Sequence, residues 1–203
     1  MARVGVLALQ GDFPMHEQRL RALGCDVVQV RLPQELEGLE GLIWPGGEST
    51  TMTRVMDVEL REALTSFCTT KPTWGTCAGM IMLSHTDPDT RVRTLGIADV
   101  HVNRNGWGRQ VHSFEAELEV APELAEARRA VGLFIRAPRI TRIGEDVRVL
   151  ATYHGEPVAV SQGKILLTTF HPELTDDDRF HRLLISWILK SESNRILSTG
   201  DRT

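Results

Sequence analysis

The segment Trp74-Gly-Thr-Cys-Ala-Gly79 restricts the fold of this chain more than any other. Gly-x-Cys-x-Gly after an apolar stretch is the cysteine form of a nucleophile elbow. It demands a strand that feeds through a sharp turn into a helix, with small residues flanking the turn so the backbone can pass. Pro72 to Trp74 predict the strand, and Ala78 to Leu83 predict the first turns of the helix. A thiol at a helix N-terminus sits in positive partial charge, which favours the nucleophilic thiolate.

A second segment, Phe170-His-Pro-Glu-Leu174, supplies what a nucleophilic cysteine needs. His171 can take and return a proton, and Glu173 can orient and stabilise the imidazole. Residues two apart in an extended chain point the same way, and Pro172 stiffens the link. Each segment alone is ambiguous, since a buried cysteine is ordinarily a small core residue and a lone histidine is ordinarily capped or solvent-facing. Both, however, close apolar runs, Lys71 to Trp74 and Ile165 to Phe170. In open α/β sheets ligand sites lie beyond the carboxyl ends of strands, so the two segments can meet there. Jointly they read as catalytic.

The rest of the chain supports such a sheet. Arg3 to Leu9, Cys25 to Arg31 and Gly41 to Trp44 are apolar strands of the kind buried on both faces. Pro14 to Leu23 reads as a helix stopped by Gly24, and a helix capped by Ser49 or Thr50 is expected to run to about Phe67. Between Leu95 and Ser161 the pattern changes to short strands (Leu95–Val102, Phe114–Val120, Gly132–Ala137, Val147–Tyr153, Glu156–Ser161). These are expected to extend one sheet edge with antiparallel strands. Lys164 to Phe170 returns to the site. Asp176 to Leu189 closes the fold as a helix whose apolar positions recur at helical spacing.

At 203 residues the chain fits one domain. Its 23 Lys and Arg against 27 Asp and Glu, a net charge of -4, lack the basic footprint of a nucleic-acid binder. No apolar run approaches the roughly 18 residues of a membrane span, and Val4 to Leu9 is too short for a signal-peptide core. The three cysteines at 25, 68 and 77 form neither an even framework nor Cys-x-x-Cys, which predicts a reduced, cytoplasmic protein. The seven histidines show no zinc-type spacing, so no metal is expected.

Gly46-Gly-Glu-Ser-Thr-Thr51, Gly75-Thr-Cys-Ala-Gly79 and Phe170-His-Pro-Glu-Leu174 resemble the class I (triad) glutamine amidotransferases. More narrowly, the chain is similar to the glutaminase subunits of two-component pyridoxal 5'-phosphate synthases. That narrower likeness rests on Gly5-Val-Leu-Ala-Leu-Gln-Gly11, Asn103-Arg-Asn-Gly-Trp-Gly-Arg-Gln110, Ser113-Phe-Glu115 and Phe134-Ile-Arg-Ala-Pro138. It runs from about Val4 to about Leu189, implying one glutaminase domain over 1–190 and a tail over 191–203. Trp107 and Trp44 depart from the family's usual residues.

The resemblance implies a doubly wound, flavodoxin-like three-layer sandwich with a mostly parallel central sheet and antiparallel edge strands. It implies hydrolysis of L-glutamine by Cys77, His171 and Glu173, with Gly47 and Ala78 as oxyanion donors. Glutamine contacts fall on Gly47, Glu48, Ser49, Arg104, Ile135 and Arg136. The implied partner is a synthase subunit that uses the ammonia, with no cofactor, metal, nucleic acid or membrane. From the residues alone, Gly46-Gly47 reads equally as a tight turn and Glu48 as a helix N-terminal acid. Arg104 reads as a loop arginine and Arg136 as a strand-end ion pair, neither favoured by spacing over Arg109. A glutaminase for another amidotransferase system, a cysteine hydrolase and a binding module on the same fold are the competing readings. The complete Cys-His-Glu set argues against a binding module, and the Arg104 to Gln110 block favours the pyridoxal phosphate system.

Overall fold

The computed structural model describes residues 1–86, 91–104, 106 and 113–199, without the side chains of 192 and 194–199. Asn105, Trp107, Arg109, Gln110 and His112, along with the end of the expected tail at 200–203, lie outside the described residues.

The chain begins with β1 (Arg3–Leu7), α1 (Phe13–Ala22), β2 (Asp26–Val30) and β3 (Gly41–Trp44). Next come α2 (Ser49–Val55), α3 (Val58–Thr70), β4 (Thr73–Thr76), α4 (Ala78–Leu83) and β5 (His85–Thr86). It continues through β6 (Val100–Asn103), β7 (Phe114–Val120), β8 (Ala130–Phe134), β9 (Arg139–Ile143) and β10 (Arg148–Tyr153). β11 (Glu156–Gln162), β12 (Ile165–Thr168) and α5 (Arg179–Thr199) complete it.

Among the described residues the main sheet has the order β2-β1-β3-β4-β12-β11-β10-β7-β8. Its first five strands are parallel, and every later pairing is antiparallel. Residues of the parallel strands alternate between two cores as a period of two requires. Leu42, Trp44, Ile165 and Leu167 join the core under α2, α3 and α4, whereas Val4, Val6, Ile43 and Leu166 join the core that contains Leu20 of α1 and Leu184 of α5. The sheet is therefore covered on both faces, the doubly wound arrangement expected from the sequence.

Four expectations need correction. The helix expected from Ser49 or Thr50 to Phe67 is two helices, because the Asp57 carboxylate accepts from Leu60 N at 2.8 Å and starts a new one. Ser49 is the first residue of α2, and Glu48 occupies the cap position. Leu95 to Val102 does not extend the main sheet: only Val100–Asn103 is a strand, and β6 lies between β5 and β9 in a separate three-stranded sheet. The closing helix starts later, where Asp177 accepts from Arg179 N at 3.1 Å, and continues past Leu189 to Thr199.

One consequence of the topology positions the site. β8 is four strands from β12 in sheet order, yet His171 N, just past β12, donates to Leu133 O of β8 at 2.9 Å. The antiparallel extension thus curls back until the end of β8 meets the end of β12. Phe134 and Phe170 pack there with ring centroids 5.6 Å apart.

Candidate active site

Cys77 sits between β4 and α4 with φ 46° and ψ -103°, a backbone conformation that L-residues adopt only under constraint. Two backbone bonds supply the constraint. Cys77 N donates to Thr168 O of β12 at 2.8 Å, and Gly79 N donates to Pro45 O past β3 at 3.1 Å. Gly79 is required at its position, since a Cβ there would overlap the Trp44 carbonyl oxygen. Trp44 itself is buried and donates from Nε1 to Cys68 Sγ at 3.3 Å, so its departure from the family's usual residue fills the core below the elbow.

His171 approaches from the end of β12. Its Nδ1 lies 2.7 Å from Glu173 Oε1, and the ring lines the same cavity as Cys77. With Nδ1 engaged by the carboxylate, Nε2 is the nitrogen left for the thiol. Burial opposes charge on this imidazole, but the bonds and charges of Cys77 and Glu173 outweigh it and push its pKa up to about 10. His171 is therefore favoured as the imidazolium beside Cys77, ready to give its proton in nucleophilic cysteine chemistry. A Cβ on Gly46 would overlap the His171 ring, so this glycine is what lets the loop after β3 close over the imidazole.

A cavity of about 230 Å³ opens above these groups. Its wall contains Gly47, Glu48, Ser49, Arg104, Ile135 and Arg136, all six positions expected to contact glutamine, together with Cys77 and His171. Gly47 has φ 143°, and Ala78 follows Cys77 as the buried first residue of α4. Arg136 pairs with Glu48 at 2.5 Å across the cavity, and Ile135 O lies 3.9 Å from Cys77 Sγ. Gln10, at the end of the first strand's segment, also lines the cavity, and its Oε1 accepts from Glu48 N at 2.5 Å.

Sequence reasoning missed three neighbours. Asp12 lines the cavity with Oδ2 3.9 Å from His171 Nδ1, although nothing in its local pattern marks it. Asp12, His171 and Glu173 offer ligand atoms within 4.8 Å of one another, but the short His171–Glu173 bond occupies the lone pair a cation would take at Nδ1. Behind Glu173 lie His16 and His181, which carried no spacing signal because each comes from a different helix.

A doubly wound sheet with a cysteine elbow facing a histidine–carboxylate pair is the architecture of the class I glutamine amidotransferases. The profile of the SNO glutamine amidotransferase family matches residues 6–190, and the chain belongs to that family. It is 46% identical over 191 residues to the pyridoxal 5'-phosphate synthase subunit PdxT of Koribacter versatilis, covering 94% of this chain and 98% of that protein. It is 45% identical to the PdxT of a Geobacillus species, covering 95% of this chain and 100% of the relative. A solved glutamine amidotransferase structure with 43% identity superposes with a TM-score of 0.84 over 91% of this chain and 98% of that one. A putative GMP synthase subunit from Thermoplasma acidophilum, 17% identical with a TM-score of 0.70 over 96% of this chain and 98% of its own, shares the fold.

Proposed function

We propose that this chain hydrolyses the side-chain amide of L-glutamine as the glutaminase subunit of a two-component pyridoxal 5'-phosphate synthase. Its ammonia passes to a synthase subunit that joins it to a pentose phosphate and glyceraldehyde 3-phosphate. The observation that carries this reading is the single cavity that gathers all six expected glutamine positions around Cys77 and His171.

In the proposed mechanism Cys77 attacks the carboxamide carbon, and backbone N–H groups of Gly47 and Ala78 receive the developing oxyanion. His171, oriented by Glu173, protonates the departing ammonia. It then acts as base for the water that cleaves the thioester, releasing glutamate. Arg104 and Arg136 recognise the α-carboxylate, for which a guanidinium fork is suited, while Glu48, Ser49 and Ile135 complete the pocket. The free, buried state of Cys25, Cys68 and Cys77 fits a reducing cytoplasm.

The reading includes a conditional enzyme. Gln10 holds Glu48 N directly, so a partner that touches the Gln10-Gly11 edge reaches the loop meant to supply an oxyanion donor. Ammonia release from glutamine, with the synthase subunit titrated in, tests both claims. A rise in kcat with little change in KM is expected. No ammonia at any partner concentration overturns the glutaminase reading, and equal kcat with and without bound partner overturns the conditional one.

A further inference from the structure

Glu173 is fully buried and gives one oxygen to His171, but its Oε2 has no hydrogen bond of ordinary geometry among the described residues. A buried carboxylate oxygen left bare is costly, so whatever faces it matters. His16 of α1 faces it, with Nε2 3.4 Å from Glu173 Oε2. That is long for a hydrogen bond, as contacts within catalytic sites often are before substrate binds. The same nitrogen lies 3.3 Å from Thr76 Oγ1, on the residue before the nucleophile. The other ring nitrogen, Nδ1, lies 3.1 Å from Nε2 of His181 on α5. Both rings are fully buried, and each meets Trp74 edge-on, at 5.3 and 4.8 Å between centroids. Among the described residues, His181 Nδ1 is buried without a hydrogen-bond partner.

These contacts select one arrangement of protons. Burial lowers the pKa of His16 well below its ordinary value and that of His181 to about 3, so both rings are neutral, each carries one N–H, and a single proton lies in the contact between His16 Nδ1 and His181 Nε2. If His16 Nδ1 carried it, His181 would have to place its own N–H on the partnerless Nδ1. The bare His16 Nε2 would then face a carboxylate oxygen. If instead His181 Nε2 carries it, the partnerless atom is only an acceptor, which is less rare in protein interiors than an orphaned donor. His16 Nε2–H then points at Glu173 and Thr76.

We infer that His16, fixed as its Nε2–H tautomer by His181, is a positioning residue that donates to the outer oxygen of Glu173 and so aims the carboxylate that orients His171. The chain of contacts reaches from α5 through α1 to the triad and lies wholly outside the glutamine cavity. Its kinetic consequence rests on the glutaminase reading; its tautomer does not.

Two measurements test it. Nitrogen NMR of the full chain labelled with ¹⁵N-histidine, assigned with His16→Gln and His181→Gln, should show His16 protonated at Nε2 and bare at Nδ1. A proton on His16 Nδ1 overturns the inference, whatever the activity. In glutaminase assays with the synthase subunit present, His16→Leu should lower kcat about tenfold, the scale of one hydrogen bond to a charged group, with KM within about twofold. His16→Gln, whose amide nitrogen reaches the same place, should recover most of that factor at a matched melting temperature. In a Glu173→Gln background, His16→Leu should add no further loss. An equal loss in both backgrounds, or equal impairment of the Leu and Gln variants, overturns it. Absence of glutamine hydrolysis in the unmutated chain refutes the proposed function, and the NMR result still decides the tautomer.

Discussion

The triad has a wet side and a dry side, and they use charge in opposite ways. On the cavity side, Arg136 and Glu48 form a full ion pair with side chains 69% and 43% exposed. On the far side, His16 and His181 are 0% exposed and neutral, and polarity is transmitted by oriented N–H groups. Water screens the first pair, so its worth to folding is small, about 0–1 kcal/mol, and its charges remain available to a substrate. The second cluster is unscreened, so misplacing one proton there is expensive. In the proposed function, recognition sits where charges can be exchanged with a ligand, and alignment sits where they cannot.

Mutations graded from the boundary outward sharpen this contrast. We predict the largest effect for Cys77→Ala, which removes the group both sides serve. Ammonia release should fall on the order of 10⁶-fold, by analogy with triad nucleophile knockouts, and label from a glutamine-like electrophile should vanish from the peptide containing Cys77. Retained activity with label on Cys25 or Cys68 would refute the assignment. Glu173→Gln, at the boundary itself, keeps the shape but not the charge that stabilises the imidazolium. We expect kcat to drop by as much as about 10⁴-fold with the melting temperature little changed, and a kcat equal to the unmutated chain across pH would reduce Glu173 to a structural role.

The dry side should reveal itself in stability. His181 is held by burial, reinforced by the nearby Arg19 charge, at about 3, whereas an unfolded histidine titrates near 6.5. As pH falls through that interval the unfolded chain takes up a proton that the folded chain refuses, so stability present above about pH 6.5 is lost towards pH 3. His16 acts in the same direction. His171 has the opposite sign: raised to about 10, it contributes stability that is complete below about 6.5 and lost as pH rises through about 10. Thermal unfolding from pH 8 to pH 4 should therefore show a steep acid limb that flattens in His181→Gln. An identical limb in that variant would break the contrast.

The smallest effect on folding belongs to the wet side. Glu48→Gln should move stability by less than about 1 kcal/mol while raising KM for glutamine. A loss of several kcal/mol, read by denaturant unfolding, would mean that the exposed pair behaves like a buried one.

Much of the wet side was legible in the sequence, and almost none of the dry side. The elbow announces itself because small residues at 75 and 79 surround a cysteine at a strand end, and His171 and Glu173 are two residues apart. The parallel strands were legible because burial on both faces makes them continuously apolar, as in Leu42-Ile43-Trp44. The helix break at Met56-Asp57 was missed because the helical periodicity carries across it, although the Asp57 cap marks it locally. The separate small sheet was missed because strand composition states how much a strand is buried, not which sheet it joins. His16 and His181 gave no signal: they meet only because α1 and α5 pack on the same face, a long-range fact that no local window contains.

The curl that returns β8 to β12 bears on how the site comes into being. Gln10, Gly47, Cys77, Arg104, Arg136 and His171 arrive at one cavity from nearly the whole length of the chain. Contacts of such wide sequence separation close late, because the entropy of ordering the intervening loops must be met first. A chain that has formed only its first strands and helices still lacks the cavity around Cys77. The pocket appears only with the last strand, when His171 reaches Leu133. We predict that recovery of glutaminase activity on refolding coincides with the slowest structural phase.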